Sequence, residues 1–104
     1  MGSPSLAPAT GTYVGNGSAT RRDFACGFVP QRVAVHSISG EVVWQSQMPG
    51  PWKQVHTGAP TFLPAATLQP QEKKANGDTL LGFSLESADG TLNTNAQTYY
   101  WTAY

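Results

Sequence analysis

Thiols and charges are both scarce in this chain of 104 residues. Cys26 is the single cysteine, so no disulfide can form within the chain and no zinc knuckle can be built from thiolates. Charged residues make up 12% of the sequence, which is about half of their usual share in soluble proteins. Six basic and six acidic residues give a net charge of zero. We therefore expect no nucleic-acid partner, because contacts to phosphates lack electrostatic support.

Long apolar runs are also absent. No stretch approaches the roughly 18 apolar residues that a membrane-spanning helix needs, so we expect no membrane partner. The opening MGSPSLAPAT lacks the basic start and the apolar run of a secretory signal, which predicts synthesis in a cytoplasm. A small protein without net charge has little protection against association. Part of its surface is therefore expected to be covered by another protein.

Turn residues divide most of the chain into short strand-like segments. Residues 32–38 are rich in β-branched side chains, and residues 81–85 alternate between apolar and polar or small side chains, as strands do. Ser39 and Gly40 predict a tight hairpin after the first of these segments. No apolar period of about 3.6 residues persists over three turns. These features predict an all-β protein, an antiparallel β-sandwich (jelly-roll-like or Ig-like) of about seven or eight short strands.

The predicted sandwich spans residues 11–104 and follows an extended N-terminal arm, residues 1–10. Pro4 and Pro8 lie in this arm among small residues, and proline at that density favours an extended chain over a helix. We therefore treat the arm as a separate element that can lie along another molecule.

Two segments inside the predicted sandwich carry weak strand signals. Pro60 and Pro64 predict that residues 61–68 are irregular or lie at a sheet edge. Residues 71–78 form the one markedly charged run and are predicted to be a solvated loop.

The sequence GTYVGNGS, residues 11–18, is the first candidate for a binding loop. A Walker loop requires a Gly-Lys-Ser/Thr ending before a helix, and no lysine follows here. A dinucleotide loop also requires a helix behind its glycines. Asn16, Gly17 and Ser18 match the glycosylation sequon, but nothing else in the sequence suggests a secretory route. We interpret the stretch as a strand and its turn, where Gly and Asn accept positive φ.

His36 and His56 are the candidates for acid–base chemistry. No spacing around them resembles HExxH, a zinc pattern or a nucleophile elbow. Cys26 lies among small and apolar residues and is interpreted as a buried filler. We therefore predict no catalytic residue, no metal and no cofactor. A small hydrolase with either histidine as base is the enzymatic alternative, and it needs a cleft that joins the histidine to an acid and a nucleophile.

Aromatic residues are numerous, at 11% of the chain. Tyr100 and Tyr104 share one face of the last predicted strand, while Tyr99 and Trp101 share the other. Both faces are therefore expected to be covered, either in a core or at a subunit interface. Exposed Trp and Tyr side chains anchor protein interfaces and stack on sugar rings. The candidate interface or stacking aromatics are Tyr13, Trp52, Tyr100 and Tyr104.

Four segments, in this order, carry a resemblance to a known family: GTYVGNG, GFVPQRVAVHS, LLGFSLES and LNTNAQTYYWTAY. The chain resembles small β-sandwich domains of tailed-bacteriophage virion proteins. The resemblance covers residues 11–104, although residues 48–80 hold no pattern that can be compared. The matching residues are Gly11, Tyr13, Gly15, Asn16, Gly17, Gly27, Phe28, Pro30, Val33, Gly82, Phe83, Asn93, Tyr99, Trp101 and Ala103.

This resemblance implies a structural role in a virion. Such domains serve as capsid decoration (cement) proteins or as binding heads of tail fibres and other appendages, and both are commonly trimeric. We expect the first role, because the chain begins at Met1 and has no coiled-coil heptads of a fibre shaft. The expected partners are then the major capsid protein and further copies of this chain in a homotrimer, on the outer capsid surface of the virion.

The arm supplies the expected anchor to the capsid, by backbone or strand pairing with capsid subunits. The residues assigned to this anchor are Ser3, Pro4, Leu6 and Pro8. The alternative function is a receptor- or glycan-binding head, in which Trp52, Tyr13 or Tyr104 would be the stacking platform.

Overall fold

The computed structural model describes residues 8–56 and 58–104. Strands cover 49% of the described residues and helices 7%. Every strand pair described is antiparallel, and the two sheets enclose one apolar core. The predicted fold class, an all-β antiparallel sandwich, is confirmed.

Nine strands, one short helix and one 3-10 turn make up the described chain. In chain order they are β1 (Ala9–Val14), β2 (Arg22–Ala25), β3 (Arg32–Ser37), β4 (Gly40–Gln45), β5 (Trp52–Val55), β6 (Thr61–Phe62), the 3-10 turn Ala65–Thr67, β7 (Leu68–Lys73), β8 (Thr79–Leu85), α1 (Gly90–Asn93) and β9 (Thr98–Ala103). The larger sheet has the order β1-β9-β3-β4-β5-β6, and the smaller has the order β2-β8-β7. The first and last strands of the described chain are thus neighbours in the larger sheet.

The core between the sheets is built on aromatic rings. Tyr13 stacks on Tyr99 with ring centroids 5.1 Å apart and contacts Phe24 of the smaller sheet at 4.9 Å. Phe24 stacks on Phe83 at 5.2 Å, and Phe83 meets the edge of Trp101 at 5.1 Å. This run of contacts joins the larger sheet to the smaller one twice. Aliphatic side chains complete the core, namely Val33, Val35, Val42, Leu68, Leu85 and Leu92.

The hairpin predicted at Ser39 and Gly40 is confirmed. Ser37 pairs with Gly40, which leaves a two-residue loop between β3 and β4. Gly40 has φ of +149°, and a Cβ at this position would lie 2.3 Å from the carbonyl oxygen of Gln54. Only glycine fits here, because the backbone of β5 approaches so closely.

The first strand begins earlier than the sequence indicates. Ala9 and Thr10, which we assigned to the arm, pair with Ala103 and Thr102 of β9. These two residues therefore belong to the sandwich. Small residues next to proline carry no clear strand signal, and the pairing comes from β9.

Strand β7 occupies a region predicted to be irregular and then a solvated loop. It contains Pro70, which an edge strand tolerates because the missing N–H can face away from the ladder. The two-residue β6 lies at the edge of the other sheet. With the edge strands β6 and β7, the described chain has nine strands, compared with the seven or eight that the sequence predicts. In the described residues, no helix is long and apolar enough to cross a membrane.

Candidate functional site

We call the face of the larger sheet that points away from the core the outer face. Two adjacent rows of side chains cross it, and Arg32 and Gln45 lie on the same face beside the first row. Residues paired across antiparallel strands share a face, so the register defines the rows. The central row runs across all six strands as Thr10, Thr102, Ala34, Val43, Trp52 and Phe62. The second row is Thr12, Tyr100, His36, Glu41 and Gln54. Glu41 is the single formally charged side chain in these rows.

Three of the four aromatic residues singled out from sequence lie on this outer face. Tyr100 is 57% exposed and Tyr104, just beyond β9, is 50% exposed. Trp52 is half-buried, because its ring packs edge-on against Phe62 with centroids 4.7 Å apart. Phe62, which the sequence did not single out, is itself 50% exposed. The alternation predicted for β9 is confirmed, since Tyr99 is buried on the core side.

Tyr13, the fourth of these aromatic residues, does not lie on the outer face, so its prediction as an interface or stacking residue is corrected here. Its side chain is only 6% exposed, and its hydroxyl donates a hydrogen bond of 2.7 Å to the carbonyl oxygen of Leu92. Burial raises the pKa of this phenol well above its ordinary value, an effect that the nearby Tyr99 adds to. Tyr13 is therefore a core residue and no stacking platform. The burial follows from the pairing of β1 with β9, which the sequence of β1 alone does not reveal.

Backbone amides of the GTYVGNGS turn donate their hydrogen bonds to acceptors within the protein. The amide of Gly15 donates to the carbonyl of Gln97 at 2.8 Å, and the amide of Gly17 donates to the carbonyl of Asn93 at 2.9 Å. The amide of Asn16 donates to Oδ1 of Asn93, and that of Ser18 donates to Oδ1 of Asn16, both at 2.9 Å. A phosphate loop requires amides that point at the ligand. The interpretation as a structural turn therefore agrees with this geometry.

His36 and His56 line one polar cleft of about 490 Å³ at the turn end of the β3–β4 hairpin. Nδ1 of His36 lies 3.2 Å from Oε2 of Glu41, and both side chains are about half exposed. This places a histidine beside an acid, as the hydrolase alternative requires. No hydroxyl or thiol of the described residues hydrogen-bonds to either histidine, and those residues contain no group of three potential metal ligands.

Cys26 is only partly buried, whereas the sequence predicts a buried filler. Its Sγ lies 3.1 Å from the carbonyl oxygen of Phe28, to which the thiol donates. Burial raises the pKa of the Cys26 thiol, and the hydrogen bond to Phe28 only partly opposes this. A raised pKa lowers the thiolate fraction and with it the reactivity at neutral pH.

A second concavity, of about 530 Å³, lies where β3, β4 and the end of β9 meet, and we call it the Tyr104 groove. Phe28, Val29 and Tyr104 form its apolar walls, and Arg32 and Gln45 supply polar groups. Sequence reasoning missed this groove, because its walls come from three separate parts of the chain. The Phe-Val pair after Gly27, of which Val29 is exposed and Phe28 partly buried, is the one local signal that could have indicated it.

The arm residues Ser3, Pro4 and Leu6 lie outside the described residues. Pro8 is described and is exposed, directly before the edge strand β1.

The fold and these surfaces define a small all-β sandwich protein with an aromatic outer sheet face. Comparison of the chain with protein-family models, with curated proteins and with solved structures found no significant match.

Proposed function

We propose that this protein is a virion structural protein that decorates a bacteriophage capsid as a homotrimer. The observation that carries the proposal is the outer face, on which Tyr100, Tyr104 and Phe62 are each at least half exposed. Exposed apolar side chains gathered on one face are typical of protein interfaces, and Tyr is favoured at their centres. The resemblance of residues 11–104 to virion domains supports a capsid as the surface that is covered.

Covering the outer face with another protein requires little desolvation of polar groups. Thr, Val, Trp and Phe side chains of the central row lose few hydrogen bonds to water when they are covered, and apolar burial contributes roughly 25 cal/mol per Å². Glu41, the one charged side chain of the rows, already has His36 as a neighbour. Contacts of this kind stabilise a shell by mass action, because they exist only in the assembled state.

The edge strand β1 supports a role for the arm. Its outer edge has no neighbouring strand among the described residues, and Pro8 precedes it directly. An extended segment at a free sheet edge can add backbone pairing to another chain. The anchoring role of Ser3, Pro4 and Leu6 belongs to this proposal.

The test combines mass measurement with capsid binding. Light scattering after gel filtration gives the mass of the wild-type chain, of a double variant Phe62→Ser/Tyr100→Ser, and of Ile38→Ser as control. Ile38 is 86% exposed but lies in the β3–β4 turn, so it matches the loss of apolar surface away from the outer face. We expect trimers and co-sedimentation with empty capsids of the encoding phage for wild type and Ile38→Ser, and loss of one or both for the double variant.

Two results would contradict the proposal. Absence of capsid binding by the intact chain at micromolar concentration would remove the decoration role. Equal trimer mass and equal capsid binding by the double variant would show that the outer face is not the contact surface.

A second candidate function is glycan binding, favoured by the polar cleft beside Tyr100. His36, which lines the cleft, is the cross-strand neighbour of Tyr100, and Gln54 lies in the same row. An exposed ring next to planar polar groups suits a sugar, whose apolar face stacks while its hydroxyls bond. A glycan array would check this with Tyr100→Ala, compared with Tyr104→Ala as an aromatic control outside the cleft. Signals that are absent, or equal in both variants and the wild type, would exclude the cleft.

A further inference from the structure

The Tyr104 groove has walls that are fixed before any ligand arrives. The amide of Gln31 donates to the carbonyl of Tyr104 at 2.7 Å, and the amide of Tyr104 donates to the carbonyl of Arg32 at 2.8 Å. The amide of Ser46 donates to the carbonyl of Gln31 at 2.8 Å, which ties the end of β4 to the same loop. A preformed groove loses little conformational entropy on binding.

One cation in this groove has unused hydrogen-bond donors. The guanidinium of Arg32 lies over the ring of Tyr104, 5.5 Å from its centroid, which holds it in place and shields one side from water. Its side chain makes no hydrogen bond or ion pair with the described residues. The other two arginines already have partners. Arg21 pairs with Asp23 at 2.8 Å, and Arg22 donates to the carbonyl of Val14 at 2.9 Å.

A planar guanidinium beside apolar walls is well suited to binding a carboxylate. Its paired N–H donors match the two oxygens of a carboxylate, and the contact is strengthened where water is partly excluded. Phe28 and Val29 offer contact area to an apolar group within the same groove. Gln45 and Ser46 at the rim can bond to peptide groups. The site therefore suits a ligand that carries a carboxylate and a large apolar group next to each other.

We propose that the Tyr104 groove binds a peptide segment of another protein, in which an Asp or Glu stands next to a large apolar residue. Arg32 takes the carboxylate, and Phe28, Val29 and Tyr104 take the apolar side chain. A peptide is favoured over an isolated anion because one peptide can supply both a carboxylate for Arg32 and an apolar side chain for Phe28 and Val29. This site lies on the same face of the larger sheet as the two rows and shares Tyr104 with the proposed contact surface, but its test does not depend on capsid binding.

The experiment is a titration of the ¹⁵N-labelled full chain followed by amide chemical shifts. The probe is N-acetyl-phenylalanyl-aspartyl amide, and the matched control probe is the asparaginyl analogue, which lacks the charge. We expect saturable shifts confined to residues around the groove and an affinity about fivefold higher for the aspartyl probe, as one exposed charge-assisted contact gives.

Two variants complete the design. Arg32→Gln should remove the preference for the aspartyl probe, whereas Arg21→Gln, which changes a cation away from the groove, should keep it. The amide spectrum of each variant reports whether the fold is intact. Shifts that are not saturable, that lie elsewhere, or that are equal for both probes in the wild type would overturn the proposal. A preference that survives in Arg32→Gln would do the same.

Discussion

The side-chain amide of Asn93 donates a hydrogen bond of 2.9 Å to Oδ1 of Asn16, which lies 77 residues earlier in the chain. The same nitrogen reaches the carbonyl oxygens of Ser18 at 2.7 Å and Ser87 at 2.9 Å. Asn93 itself is 1% exposed, at the end of α1. One buried amide thus holds the turn after β1 against the end of α1 and against the segment before the helix.

Replacement of Asn93 by alanine should be strongly destabilising. The partly buried carbonyl groups of Ser18 and Ser87 would lose their donor, and the buried Asn93 side chain would leave a gap, which predicts a loss of about 2–4 kcal/mol in the free energy of unfolding. Urea denaturation followed by circular dichroism measures it. Asn95→Ala is the matched control at an exposed site and should change stability by less than about 0.5 kcal/mol. Similar values for the two variants would show that the network adds little.

Removal of the Tyr13 hydroxyl tests the core role of this residue. Tyr13→Phe leaves the carbonyl of Leu92 without its 2.7 Å partner and should lower the free energy of unfolding by about 1–2 kcal/mol. Tyr100→Phe, on the exposed outer face, is the control and should cost less than about 0.5 kcal/mol. Both values come from the same denaturation assay. A larger loss of stability for Tyr100→Phe than for Tyr13→Phe would contradict the stabilising role assigned to the Tyr13 hydroxyl.

Gly11 is required by the ring that lies over it. A Cβ at this position would be 2.5 Å from Cζ2 of Trp101, which is buried in the core. Gly11→Ala should therefore displace the indole and cost about 1–3 kcal/mol through overpacking. A change in tryptophan fluorescence of the native state should accompany the loss. Thr12→Ala, on the exposed side of the same strand, should leave the fluorescence unchanged.

The carboxyl group of Asp89 makes part of the free energy of unfolding depend on pH. Burial by itself would raise the pKa of this carboxyl, but hydrogen bonds from Lys53, at 2.8 Å, and from Thr91 outweigh it and hold the pKa below its ordinary value. The folded state therefore binds the proton more weakly than the unfolded state. The resulting stabilisation is present above the ordinary Asp pKa of about 3.9 and is lost as the pH falls through the lower folded value.

Asp89→Asn isolates this contribution, because Asn still caps the start of α1 but carries no charge. We expect the wild type to be more stable than this variant near neutral pH and the difference to shrink as the pH falls from about 5 to about 2. Urea denaturation at each pH measures the difference. Asp78→Asn, at an exposed turn position, should show no such convergence. A difference that stays constant with pH would contradict the assigned role of the Asp89 charge.

The candidate surfaces were predictable only in part. Tyr100 and Trp52 could be named as possible surface aromatics because both residue types are favoured at interfaces. Their position on one face depends on four strands, β9, β3, β4 and β5, being aligned in register. Phe62 was missed, because a two-residue edge strand between prolines has no periodicity to detect.

The sequence by itself determined the class of fold, the β3–β4 hairpin and the two faces of β9. These depend on local chemistry, namely side-chain alternation and turn residues that accept their conformations without help from distant contacts. Only the tertiary structure decided that Tyr13 is buried, that Asn93 joins distant segments and that Arg32 meets Tyr104 in a groove. Such relations depend on which strands become neighbours and in which register, and packing of the whole core selects that arrangement.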